Sequence, residues 1–129
     1  MQIKRTLTLT ACAALSGCVF GYGHCLFVQP VRNSLKGVVH FRDYPAADGV
    51  DNVAILALDR TAYVYAPAQS HQCLPVNDVQ MTGLAQFPEN IGENSHVTVD
   101  GSLFEAATPR QHTRFVFDVV SMLPIADAH

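Results

Sequence analysis

The N-terminal half of this 129-residue sequence has no apolar run long enough to cross a bilayer as a free-standing helix. Its first apolar stretch, Thr6 to Leu15, is ten residues long. As a helix it would reach about 15 Å, against roughly 30 Å of hydrocarbon. Basic residues are scarce: eight Lys plus Arg face eleven Asp plus Glu, for a net charge of −3. Phosphate recognition needs a basic face, so the balance argues against a nucleic-acid partner. It argues equally against electrostatic attraction to an anionic membrane. Catalytic signatures are missing as well. There is no Gly-x-Ser-x-Gly elbow, His-Glu-x-x-His helix, Walker loop or dinucleotide fingerprint. Repeats, low-complexity runs and a sustained helical period are also absent.

The start of the chain is more informative. Lys4 and Arg5 precede the short apolar stretch, which leads into Ala14-Leu15-Ser16-Gly17-Cys18. A basic region, a short apolar core and small residues before the cut define an export signal. The order Leu-Ser-Gly-Cys resembles the lipobox of bacterial lipoproteins. The resemblance implies that residues 1–17 are removed and that Cys18 becomes the acylated first residue. A covalent lipid at Cys18 is then the only prosthetic group expected. Several acyl chains hold a protein durably where one does not. Val19 rather than Asp follows Cys18, so the expected place is the periplasmic face of the cell envelope, at the outer membrane.

Processing leaves 112 residues, enough for one domain. It also removes Lys4 and Arg5, so six basic residues face eleven acidic ones, a net charge near −5. Of the three remaining cysteines, Cys18 is assigned to lipid. Cys25 and Cys73 are expected to pair in an oxidising periplasm. A bond closing that loop contributes roughly 4 kcal/mol on the chain-entropy estimate. The rival reading joins His24, Cys25, His71 and Cys73 as a metal set, although their spacing matches no zinc finger. Residues 18–33 read as a lipidated tether, with Phe20 and Tyr22 either at the membrane interface or packed on the domain.

Beyond the tether the pattern is that of strands. In Ser34 to Arg42, Leu35, Gly37, Val39 and Phe41 face one way and Lys36, His40 and Arg42 the other, a half-buried strand. Asp43 to Asp51, with Pro45, Asp48 and Gly49, reads as a loop. Asn52 to Asp59 is apolar on both faces and reads as a central strand. Pro67 to Pro75 reads as a loop carrying Cys73. Val76 to Gln86 fits a helix or a strand. His96 to Glu105 alternates around Asp100-Gly101, a pair that makes either a tight hairpin or a bend in one long strand. Arms of four residues favour the bent strand. Phe115, Phe117 and Val119 share a face in the last strand, and 124–129 form a tail. Five or six short strands in about 90 residues predict a mostly β domain over 34–123, a small antiparallel barrel or sandwich with at most one short helix.

A family resemblance narrows this further. Ile91-Gly92, then Val97-x-Val99-x-Gly101-x-Leu103-Phe104, Ala107-Thr108, His112-Thr113 and a closing apolar strand resemble the C-terminal signature of a family of small exported bacterial proteins of unknown function. Leu35-x-Gly37-x-Val39 and Val79-Gln80-Met81 sit where that family has similar residues. The similarity spans roughly residues 33–123 and implies an OB-like β-barrel. It supplies no activity, substrate or catalytic residue. Members often carry more than one histidine at the turn, and here His112 stands alone.

The histidines are the remaining chemical candidates. His40, His96 and His112 fall on or near strand ends, with Asp59, Asp100 and Asp118 elsewhere, so a His–Asp pair is open to assembly. Six histidines make such pairs easy by chance. No catalytic residue and no metal ligand is assigned, and no enzyme activity is expected. Arg42 and Arg114 are expected to form surface pairs with Asp or Glu. The expected role is a membrane-anchored, non-enzymatic binding module of immunity or inhibitor type, directed at an envelope protein or an exported toxin. The alternatives are a structural accessory subunit of an envelope or secretion assembly, and a metal-binding protein that uses the histidines.

Overall fold

The computed structural model describes residues 25–83 and 87–126. The signal segment, Cys18, His24 and the tether up to residue 24 lie outside the described residues. Six strands follow in chain order: β1 (Cys25–Leu26), β2 (Arg32–Ala46), β3 (Gly49–Tyr65), β4 (Cys73–Thr82), β5 (His96–Glu105) and β6 (Phe115–Pro124).

Hydrogen bonding closes the five long strands into a ring. β2 pairs antiparallel with β3 and β5, β3 with β4, and β5 with β6, while β4 and β6 pair in parallel. Around the ring the order is β2-β3-β4-β6-β5 and back to β2. A closed five-stranded ring with Greek-key connections is the OB-like barrel, as the sequence predicts.

The ring closes because its inward positions are small or branched and its bends are specified. Val39, Leu56, Val79, Val97, Val99, Leu103, Phe115 and Phe117 are buried and form one core. Each such side chain contributes about 1.5–3 kcal/mol relative to exposure. Two glycines allow the strands to approach. A Cβ on Gly37 would lie 2.2 Å from the Ala57 carbonyl oxygen, and one on Gly101 would lie 2.0 Å from that of Asp118. Gly101 also marks a register shift in the β5–β6 ladder, between Asp100 and Gly101. The Asp-Gly pair therefore bends one continuous strand.

Several local expectations change. The stretch Asp43–Asp51, read as a loop, is mostly strand. The β2–β3 ladder runs out to Ala46 opposite Gly49, so only Ala47 and Asp48 make the turn. Gly49, with φ +135°, lets the chain leave that turn. Pro45 is tolerated because its nitrogen lies on the side of β2 away from β3, past Val38 where the ladder with β5 ends; Phe41, expected to face the core, is 40% exposed. The ambiguous 76–86 segment is strand through Thr82. Part of the 18–33 stretch given to the tether belongs to the barrel: β1 pairs in parallel with β3, and Leu26 and Val28 pack on the core. The Cys25 and Cys73 sulfurs are 2.11 Å apart, at bonding distance.

Candidate binding groove beside buried Asp51

Two polar side chains are buried among the described residues, Asp51 and Gln80. Both lie where the β2–β3 hairpin leans on the loop between β5 and β6. Alternation in β3 turns Asp51 to the same side as Val53, under that loop. Its carboxylate is fully partnered there. Oδ1 lies 3.1 Å from Arg110 Nη1, and Oδ2 lies 3.1 Å from His112 Nε2. Arg110 also donates from Nη2 to both oxygens of Asp48, at 3.0 and 2.8 Å. The Tyr44 ring stacks on the His112 imidazole, with centroids 4.1 Å apart and planes 4° from parallel.

Gln80 fixes the loop from beneath. Its Nε2 donates to the Arg110 carbonyl at 3.1 Å, and its Oε1 accepts from the His112 backbone N–H at 2.8 Å. The Gln80 N–H donates to Thr113 Oγ1 at 2.7 Å. A buried amide with both ends satisfied holds a loop more firmly than an exposed one, because breaking it strands polar groups away from water. Above this frame, Pro45, Ala46, Ala47, Thr108 and Pro109 line a groove of about 710 Å³, with Asp48, Asp51 and Arg110 at its polar side. The groove is largely apolar, with a few fixed polar groups to orient a ligand, the usual build of a binding site.

The other histidines are held separately. His96 Nε2 lies 2.7 Å from Asp59 Oδ2 at the start of β5. His40 Nδ1 lies 2.9 Å from Glu93 Oε2. Glu93 accepts from the Phe41 backbone N–H at 2.7 Å and sits 3.2 Å from Arg42 Nη1, so Arg42 forms the acidic pair expected of it. The Phe41 N–H bond, followed by His40 and Arg42, lowers the Glu93 pKa to about 2. Of the pairs open to assembly, Asp59 meets His96, while Asp100 accepts from Ser121 and Asp118 from Thr82. Among the described residues, no group of three or more His, Cys, Asp and Glu is placed to hold a metal ion.

Sequence reasoning missed Asp51, Gln80, Arg110 and Tyr44. For Asp51 a signal existed, since it is two residues before buried Val53. Nothing local announced the others, because their partners are 30 or more residues away.

No protein-family model and no curated protein matches the chain. Among solved structures, it is similar to one titled as a small single-stranded DNA-binding protein from Streptomyces coelicolor. The identity is 16%, the TM-score 0.43, and the match covers 74% of this chain and 92% of that one. One expectation is corrected beside that likeness: the acidic balance does not exclude nucleic acid, and the partner assignment that rested on it is withdrawn. Net charge sums a whole chain and does not describe one face. Lys36 and Arg60, for example, line one slot despite the overall excess of acid.

Proposed function

We propose that this chain is a membrane-anchored, non-enzymatic binding module of the bacterial envelope. Lipid at Cys18 holds it, and the groove between the β2–β3 hairpin and the β5–β6 loop takes its ligand. The observation that supports this reading is the frame of buried Asp51 and Gln80 with half-buried His112 under an apolar groove. Rigid support beneath an open concave surface suits recognition. His112 and Arg110 both hold Asp51 and so brace the loop against the hairpin.

Two measurements test the two halves separately. For the anchor, Cys18→Ala should leave unprocessed precursor or release soluble protein. Normal processing and membrane fractionation of that variant would sink it. For the groove, Ala47→Trp fills the cavity without touching the core. Quantitative capture from an envelope extract should yield a species retained by the native chain and lost by Ala47→Trp. Equal retention by both, or retention by neither, removes the binding role.

A further inference from the structure

The turn between β1 and β2 carries large apolar side chains outward. Leu26 and Val28 pack on the core, so alternation points Phe27 the other way, and it is 51% exposed. Val31, four residues on, is 44% exposed. The Phe27 ring lies against Tyr65 at the end of β3, with centroids 5.9 Å apart. The turn is tied down on three sides. The Gln29 N–H donates to the Leu103 carbonyl at 2.8 Å, the Val31 N–H to the Val28 carbonyl at 3.2 Å, and Asn33 Nδ2 to the Phe27 carbonyl at 2.9 Å. Apolar side chains held in water by a fixed turn gain free energy when another surface covers them.

The basic residues are sorted around this turn. Arg42 is paired with Glu93, and Arg110 with Asp48 and Asp51. Arg114 precedes β6. The other three, Arg32, Lys36 and Arg60, are exposed and form no ion pair among the described residues. Arg32 follows Val31 directly. Lys36 lies four residues further on the same face of β2 and lines one slot together with Arg60. The carboxylates on this flank have other partners: Asp59 is tied to His96, and Asp100, opposite Ser34 in the ladder, accepts from Ser121. A chain with an excess of acid thus keeps three unpaired cations beside its apolar turn.

Aromatic and aliphatic side chains flanked by cations suit a bilayer surface, where rings sit at headgroup depth and guanidinium and ammonium groups meet phosphate. Chain length brings the turn to that surface. Cys18 is seven residue steps from Cys25, at most about 25 Å when extended, and Phe27 follows two residues later. We propose that the Phe27–Val31 turn, with Tyr65 beside it and Arg32, Lys36 and Arg60 around it, docks the barrel onto the phospholipid surface that holds its anchor, a proposal that rests on the lipidation of Cys18. The overall acidity does not oppose this docking, because salt screens charges more than about 8 Å from the contact. Docking also sets the direction of the groove. β2 runs from Arg32, beside the turn, to Ala46, which lines the groove. With the first end on the lipid, the groove sits at the other end of the strand, open to a ligand.

The chain has no tryptophan, so Phe27→Trp installs a single fluorophore in the turn. Val31→Trp is a second probe of the same turn that leaves the ring contact with Tyr65 in place. Docking is tested apart from natural lipidation. The chain from residue 18 onward is coupled through the Cys18 thiol, Cys25 and Cys73 being at bonding distance of each other, to a maleimide-bearing phospholipid. The vesicles contain phosphatidylethanolamine and phosphatidylglycerol. Brominated acyl chains should quench Phe27→Trp and Val31→Trp at least about twofold and leave Val50→Trp, at the groove end, unquenched. Adding Lys36→Glu and Arg60→Glu should remove at least about half of that quenching. Equal quenching at the turn and at Val50→Trp, or quenching at neither, overturns the docking, whatever Cys18→Ala does in cells. Blue-shifted emission from the turn without quenching assigns it to a protein contact and overturns the docking too. Quenching unchanged by the charge reversals overturns the part given to the cations.

Discussion

Asp51 is the residue on which the groove depends. It is buried at the side chain and holds two partners from one loop. Asp51→Ala leaves His112 and Arg110 without their shared acceptor beside an apolar surface. The expected cost is about 1–3 kcal/mol, read as a lower melting temperature. Glu93 makes a different prediction. Its folded pKa of about 2 lies below its ordinary 4.5. A depressed carboxylate stabilises the fold above its unfolded pKa, and that contribution is lost as pH falls through its folded pKa. The melting-temperature gap between the native chain and Glu93→Gln should hold from neutral pH down to about 4.5. It should close between there and about 2. A gap independent of pH would show that the Phe41 and His40 contacts do not favour the ionised form.

At the scale of elements, glycine decides the barrel. Gly37→Ala and Gly101→Ala each press a methyl group into the backbone of a neighbouring strand. Overpacking of this kind costs about 1–3 kcal/mol, and denaturant unfolding measures it. Substitution at Gly92, where a Cβ meets nothing within 4 Å, is the control. Elements were also where the sequence spoke most clearly. Leu35-x-Gly37-x-Val39 and Phe115-x-Phe117-x-Val119 alternate because one side of each strand meets the core, so period two is written into them. The bend at Gly101 was readable because the arms were too short for a hairpin. The β2–β3 hairpin was not readable. Pro45, Asp48 and Gly49 carry loop chemistry, and the position that alternation buries there is a charged one, Asp51. The groove was illegible for a related reason. Asp51, Gln80 and Arg110 come from three elements, and beyond the alternation of Asp51 with Val53 nothing marks them until the ring closes.

For the whole molecule, the link between Cys25 and Cys73 sets both stability and mechanics. Cys73→Ala releases a loop of 48 residue steps and should cost roughly 4 kcal/mol on the chain-entropy estimate. Unchanged melting after reduction would refute it. The bond also determines how the barrel bears load. Tension applied from the N-terminal side enters the described barrel at Cys25, where β1 offers only a two-residue rung to β3. With the sulfurs joined, that tension crosses directly to the first residue of β4. Residues between Cys25 and Cys73, including all of β2 and β3, are shunted out of the force path. Pulled between residue 18 and the C-terminus, the oxidised chain should lengthen by about 160 Å less than the reduced one, at 3.3–3.6 Å per residue. The two longest strands of the barrel thus remain unstretched when the chain is pulled from its N-terminal side.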